Sequence, residues 1–132
     1  MKYQNFLLDW VMHGISVEEL FSLLNEGKQS TPINGREYLF KNFPRLEVFQ
    51  RDGCRCICCG LVGTKAILGG QAIGIYAIKN GKYIPITLDH IIPRSRGGPT
   101  SSENLQTMCK ICNLIKGDRI MTVEKLRKKI TR

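Results

Sequence analysis

The stretch 88-LDHIIPRSRGG-98 decides how the rest of the chain is interpreted, because it holds one of only two histidines in 132 residues. Asp89 and His90 are adjacent, and a proline, two arginines and paired glycines follow them. An aspartate offers a hard oxygen ligand, and an imidazole offers a base near neutral pH. Neighbours on a regular strand point to opposite faces, so we expect a β-bulge or a strand end at 89–90. Either feature would place a metal ion between the two side chains.

Six cysteines lie in two clusters, 54-CRCICCG-60 and 109-CKIC-112. Two pairs in these clusters have the two-residue separation that lets two thiolates bind one tetrahedral ion, and together they complete a four-sulfur zinc site. These pairs are Cys56/Cys59 and Cys109/Cys112. A closed site of this kind is structural, and the lack of a visible secretion signal favours zinc over disulfides. Cys54 and Cys58 are left over, and Cys54 could replace Cys56 at a longer spacing.

The charge of the chain is unevenly distributed. Residues 1–50 carry five Lys/Arg and six Asp/Glu, whereas residues 51–132 carry fifteen and five. The whole basic excess therefore lies in the part that holds every cysteine and the Asp-His pair. A solvated surface is the simplest reading of such charge, but so sharp a separation favours a polyanionic partner, above all nucleic acid.

The composition is that of one globular domain, with 42% hydrophobic and 23% charged residues. The sequence contains no uninterrupted apolar run of membrane-spanning length, so we expect no membrane association. The segment MKYQNFLLDWVMHG has Asp9 inside its apolar run, which argues against a secretion signal. We therefore expect a cytoplasmic protein.

The first 44 residues are expected to form a helical extension and a linker. Residues 3–13 show apolar positions at helical spacing, and 16-SVEE-19 is a capping-box signature that starts a second helix, which ends at Gly27. This helical hairpin is interpreted as a packing module, because this half of the chain is not basic. The turn-rich stretch 28-KQSTPING-35 is interpreted as the linker.

Residues 45–120 are expected to form the core, and 121–132 a basic C-terminal helix or tail. Residues 45–53 favour a short helix that leads into the first cysteine cluster. Asn80-Gly81 stands between apolar, β-branched and aromatic runs and predicts a β-hairpin. In the tail, three apolar residues share one helix face and basic residues occupy the rest: Val123, Leu126 and Ile130.

The order of four segments within residues 45–120 resembles the HNH nuclease family. These segments are 51-RDGCRCICCG-60, 89-DHIIPRSRGG-98, 103-ENLQTMCKICN-113 and 116-KGDR-119. The cysteine pairs resemble the zinc-bearing branch, and Asn113 at the last motif position makes this a His-Asn-Asn variant. The resemblance implies an α+β fold, in which an N-terminal helical hairpin precedes a zinc-stabilised ββα-metal core with an extra β-hairpin.

The resemblance also implies a role for each motif residue. His90 would be the general base, and Asp89 and Asn113 would hold a catalytic Mg²⁺ or Mn²⁺ ion. Asn104 would fix the loop and orient His90, and Zn²⁺ would be structural. Four basic residues near the motif are expected to hold DNA phosphates: Arg94, Arg96, Lys116 and Arg119.

The function implied by the resemblance is that of a metal-dependent endonuclease acting on DNA, similar to phage, homing or restriction nucleases. The alternative is a zinc-stabilised nucleic-acid-binding module that cuts nothing, which would leave the Asp-His-Asn-Asn set unexplained. Preference for DNA or RNA and the sequence recognised are open. A monomer would nick one strand, whereas a homodimer could cut both.

Overall fold

The computed structural model of the protein describes residues 14–33, 36–40, 45–69 and 72–130. Seven strands lie within these residues: β1 Gly14–Ser16, β2 Ser30–Ile33, β3 Arg36–Leu39, β4 Lys65–Gly69, β5 Ala72–Lys79, β6 Lys82–His90 and β7 Leu105–Cys109. The α-helices described are α1 Val17–Asn25, α2 Leu46–Arg51, α3 Lys110–Lys116 and α4 Val123–Ile130. None of these described helices has the length and apolar character that crossing a bilayer requires.

Five of the strands form one antiparallel sheet in the order β1-β4-β5-β6-β7, and β2 and β3 form a separate two-stranded sheet. Asn80 and Gly81 join β5 to β6 with φ angles of 52° and 75°. Two consecutive positive φ angles are typical of the tight turn that matches the twist of a hairpin, and an Asn-Gly pair adopts them at little cost. The predicted β-hairpin is therefore confirmed.

The ββα arrangement implied by the resemblance is present in β6, β7 and α3. β6 and β7 pair from Ile86↔Cys109 to His90↔Leu105. α3 starts immediately after β7, and the Cys109 side chain caps it by accepting a hydrogen bond from the Cys112 amide. Because α3 packs against both strands, residues at its inner face lie close to the end of β6.

Of the two helices expected in the N-terminal segment, only the second lies within the described residues, as α1. Ser16 Oγ accepts a hydrogen bond from the Glu19 amide at 3.0 Å, so the expected cap begins α1. The helix expected over residues 3–13 lies outside the described residues, and the helical hairpin is not confirmed. Within the stretch interpreted as the linker, residues 30–33 form β2 and pair with β3.

The predicted segment boundaries do not separate hydrophobic cores among the described residues. Leu20 of α1 and Leu126 of α4 belong to the same buried cluster as Cys56 and Ile86, which lie within residues 45–120. Leu126 is only 1% exposed, and burying a leucine side chain contributes about 1.5–3 kcal/mol. The basic C-terminal helix is therefore packed onto the core, with its basic side chains outward.

Candidate metal centre and catalytic cleft

The four paired cysteines converge on one point. The Sγ atoms of Cys56, Cys59, Cys109 and Cys112 all lie within 4.8 Å of one another. The first pair comes from the loop after α2, and the second from the junction of β7 and α3. A tetrahedral zinc ion with Zn–S bonds of about 2.3 Å separates its sulfurs by about 3.8 Å. The Cys59 and Cys109 sulfurs are 3.7 Å apart, so the donor set fits Zn²⁺.

The electrostatics of this cluster also favour a cation. A hydrogen bond with the Cys109 thiol lowers the pKa of Cys56, and the same hydrogen bond together with burial raises the pKa of Cys109. Burial is the main reason that the pKa of Cys112 is raised. Ionisation of one thiol therefore disfavours ionisation of its neighbours. A divalent ion would stabilise all four thiolates together.

Cys54 and Cys58 are not members of the group of four convergent sulfurs. Burial raises the pKa of Cys54 to about 12, so this thiol keeps its proton and packs as a small apolar group. Its sulfur would lie 2.9 Å from a Cβ atom at Gly63. Burial also raises the pKa of Cys58. The open alternative in which Cys54 replaces Cys56 is not supported, because Cys56 and not Cys54 is among the four convergent sulfurs.

The strand that carries the Asp-His pair ends there without a bulge. Asp89 pairs with Gln106 and His90 pairs with Leu105 in regular antiparallel register, and β6 ends at His90. Of the two expected features, the strand end is the one observed. The chain then leaves the sheet, and the Ile91 amide donates to the Asn104 carbonyl at 2.8 Å.

Asp89, His90 and Asn113 line one cleft beside this strand end. The cleft has a volume of about 310 Å³ and is also lined by Arg94 and Asp118. Three of the residues expected to carry out catalysis thus share one solvent-accessible space, although Asp89 and His90 have different hydrogen-bond partners.

The imidazole of His90 is held by a residue that the sequence did not single out. His90 Nε2 lies 2.9 Å from Thr100 Oγ1, and the Thr100 carbonyl accepts a hydrogen bond from the Arg45 guanidinium at 2.6 Å. In the tautomer whose Nε2–H donates to Thr100, Nδ1 keeps the lone pair that a general base needs. Thr100 lies in the 91–104 loop with no motif around it, so only the folded geometry shows this contact.

Asp89 is 5% exposed and already has two partners. Gln106 Nε2 donates to it at 2.8 Å, and Lys116 Nζ lies 3.2 and 3.3 Å from its two oxygens. A carboxylate can accept about four hydrogen bonds or ligand contacts, so these three contacts leave about one position for a metal ion. The Lys116 ammonium also donates to the His90 carbonyl at 3.1 Å.

The position of Lys116 overturns its expected contact with DNA phosphate. Its side chain has no exposed surface, and its ammonium contacts the Asp89 carboxylate and the His90 carbonyl. The sequence predicted a contact between this side chain and phosphate, but α3 turns this position towards the end of β6. Gln106, which the sequence did not indicate, completes the buried group around Asp89.

Asn113 can offer its amide oxygen to a cation. Its Nδ2 donates to Thr87 Oγ1 at 3.0 Å, which leaves the oxygen of the same amide free of that contact. One carboxylate and one amide oxygen on an open cleft suit a hard ion such as Mg²⁺, which keeps several waters and usually takes few protein ligands. The donor set of Asp89 and Asn113 therefore fits a catalytic Mg²⁺ or Mn²⁺ ion.

Asn104 fastens the loop that follows His90. Its buried side chain accepts from the Ile92 amide at 2.9 Å and donates to the carbonyls of Ile92 and Pro99 at 3.0 and 2.8 Å. Gly98 permits this close packing, since a Cβ there would lie 1.7 Å from the Ile92 oxygen. These three contacts are all to the backbone of the loop that joins His90 to Thr100.

The three arginines of the expected DNA surface are all exposed. Arg94 lines the cleft itself. Arg96 donates to the Asp118 carbonyl at 3.0 Å, and Arg119 donates to the Lys116 carbonyl at 3.1 Å. Arg96 and Arg119 therefore hold the end of α3, whereas Arg94 lines the cleft.

Comparison with protein families gives a match between residues 78–119 and the family model described as HNH endonuclease. The matched segment includes β6, β7 and α3 with the cleft between them. Neither the comparison with curated proteins nor the comparison with solved structures gave a match.

Proposed function

We propose, from the match between residues 78–119 and the HNH endonuclease family model, that this protein is a metal-dependent endonuclease that hydrolyses DNA phosphodiester bonds. One observation carries the proposal: His90, Asp89 and Asn113 line the same cleft at the end of β6. Phosphodiester hydrolysis requires a base for water and electrophilic stabilisation opposite it, and these side chains supply both.

In the proposed mechanism His90 removes a proton from water, and Thr100 holds the imidazole in the orientation that leaves Nδ1 free. The water oxygen then attacks the phosphorus in line with the departing 3′ oxygen, which takes its proton from solvent and leaves a 5′-phosphate. A divalent ion held by Asp89 and Asn113 would supply stabilisation of the charge that develops on the phosphoryl and leaving oxygens. A positioned base is worth about 10²–10⁴-fold in rate.

The basic surface supports DNA as the substrate. The chain has a net charge of +9, and Arg94 projects at the mouth of the cleft. Contacts from such side chains to phosphates position the duplex without reading bases, and they weaken as salt concentration rises. Zinc would serve a separate purpose, because its four ligands tie the loop after α2 to the β7–α3 junction and leave no open position for chemistry.

A plasmid assay tests this proposal. Supercoiled DNA is incubated with the zinc-loaded protein and Mg²⁺ or Mn²⁺, with and without EDTA, alongside His90→Ala and the control His13→Ala. We expect the wild type and His13→Ala to cleave in a metal-dependent manner and His90→Ala to lose about 10²–10⁴-fold in rate. Relaxed circles would indicate single-strand nicking, and linear product would indicate paired active sites as in a homodimer.

The same assay identifies the competing function. If the wild type and His90→Ala bind DNA equally and neither cuts it with either metal, the endonuclease proposal fails. The protein would then be a zinc-stabilised nucleic-acid-binding module. Binding is measured on the same samples by fluorescence anisotropy of a labelled duplex, so loss of folding and loss of chemistry are distinguished.

A further inference from the structure

Lys116 forms an ion pair with Asp89 inside the protein. The lysine side chain has no exposed surface, and the aspartate side chain is 5% exposed. The ammonium contacts both carboxylate oxygens and the His90 carbonyl, and Gln106 adds a further hydrogen bond to the carboxylate. A buried lysine is costly unless it is paired, so this arrangement holds a full positive charge beside the only carboxylate among the proposed metal ligands.

The charge of the cleft follows from this pair. Besides Asp89, the charged residues that line the cleft are Asp118 and Arg94. With Lys116 included, two formal negative charges face two formal positive charges, and the cleft offers a divalent cation no net attraction. A bound phosphodiester would give the cleft a net negative charge, and it would add oxygen ligands of the kind that Mg²⁺ prefers.

We propose that Lys116 is a built-in counter-ion of Asp89 that makes binding of the catalytic divalent ion depend on a DNA phosphate in the cleft. The free protein then binds the ion weakly, because Lys116 already neutralises its ligand. DNA and the ion bind with positive coupling, and thermodynamic linkage makes the coupling equal in both directions. This inference rests on the proposed function, since it assigns Asp89 and the cleft to a metal ion and a phosphodiester.

The first experiment measures this coupling directly. Binding of Mn²⁺ is followed by electron paramagnetic resonance with zinc-loaded His90→Ala, which is impaired in cleavage, with and without a short mixed-sequence duplex. Mn²⁺ bound by the DNA itself is subtracted with the double variant Asp89→Asn/His90→Ala. Allosteric couplings are typically about 5–150-fold, and we expect a gain of at least about tenfold in Mn²⁺ affinity with DNA. Mn²⁺ should tighten duplex binding by the same factor.

The second experiment removes the counter-ion. Lys116→Met keeps a long apolar side chain but leaves Asp89 without its positive partner. We expect Mn²⁺ alone, without DNA, to bind this variant more tightly and to raise its Tm, because the ion replaces the missing charge. Mn²⁺ should leave the wild-type Tm nearly unchanged under the same conditions. Lys116→Arg, which retains the charge, is the matched control.

The outcomes are separable from those of the plasmid assay. Equal Mn²⁺ affinity of His90→Ala with and without DNA would overturn the inference, whether or not Lys116→Met folds. A protein that cuts plasmid but shows no coupling between DNA and Mn²⁺ binding would refute the counter-ion role and leave the nuclease proposal intact. Coupled binding without cleavage would support the counter-ion role and would refute the proposed nuclease activity.

Discussion

Replacement of Asn104 is expected to loosen the loop that carries Thr100 and to lower both stability and cleavage. The Asn104 side chain is 7% exposed and makes three hydrogen bonds to the backbone of Ile92 and Pro99. A net contribution of roughly 1 kcal/mol for each bond predicts that Asn104→Ala lowers the free energy of unfolding by about 3 kcal/mol. That loss corresponds to a fall in Tm of roughly 10 °C for a domain of this size.

Asn104→Asp gives a sharper test because its side chain has the same size. The aspartate can still accept from the Ile92 amide, but its second oxygen would face the carbonyl oxygens of Ile92 and Pro99, which the Asn104 amide now contacts at 3.0 and 2.8 Å. Two donors become acceptors, so the loss of stability should be at least as large as for alanine. Cleavage should fall mainly in kcat, because His90 is misplaced while the basic surface is unchanged.

The measurement is urea unfolding of the zinc-loaded proteins, followed by plasmid cleavage at a temperature where each variant is folded. Asn25→Ala is the control, because Asn25 is exposed on α1 and accepts one hydrogen bond from Gln50. A surface change of this kind should alter stability by no more than about 0.5 kcal/mol. If Asn104→Ala unfolds at the same urea concentration as Asn25→Ala, the three hydrogen bonds of Asn104 do not stabilise the loop and this prediction is wrong.

Three further variants test the metal centre and the base. Cys56→Ala should lose bound zinc by elemental analysis while Cys54→Ala retains it, and equal zinc content in both would refute the ligand assignment. Thr100→Val should lower kcat with little change in KM and Thr100→Ser should restore it, whereas equal rates would show that the hydroxyl does not position His90. Arg127→Ala should speed zinc transfer to a chelator, because Arg127 donates to two carbonyls of the first cysteine loop. An unchanged rate of zinc release would show that Arg127 does not stabilise the cysteine loop around the ion.

Local sequence signals predicted much of the central architecture. The Asn-Gly turn fixed the β-hairpin because few dipeptides adopt two positive φ angles easily, and the Cys-x-x-Cys spacing selected the sulfurs that converge. The cap at Ser16 marked the start of α1 for the same reason, since its hydrogen bond spans three residues. Signals of this kind depend on neighbours in the chain and are therefore visible in the sequence.

The features that the sequence missed depend on contacts between distant residues. Lys116 meets Asp89 across 27 positions, and Arg45 reaches the Thr100 carbonyl across 55. Neither lysine nor arginine spacing distinguishes a buried partner from a solvated side chain. The pairing of β2 with β3 was hidden similarly, because the turn-rich composition of 28–35 outweighed the short strand at its centre.

The most direct test of the account is a crystal of His90→Ala soaked in Mn²⁺ with bound duplex DNA, examined by anomalous scattering. We expect a manganese peak in the cleft within bonding distance of the Asp89 carboxylate and the Asn113 amide oxygen, beside a phosphate, and a separate zinc peak among the four cysteines. A well-ordered DNA complex with zinc at the cysteines but no manganese beside Asp89 would contradict metal-dependent hydrolysis at this cleft.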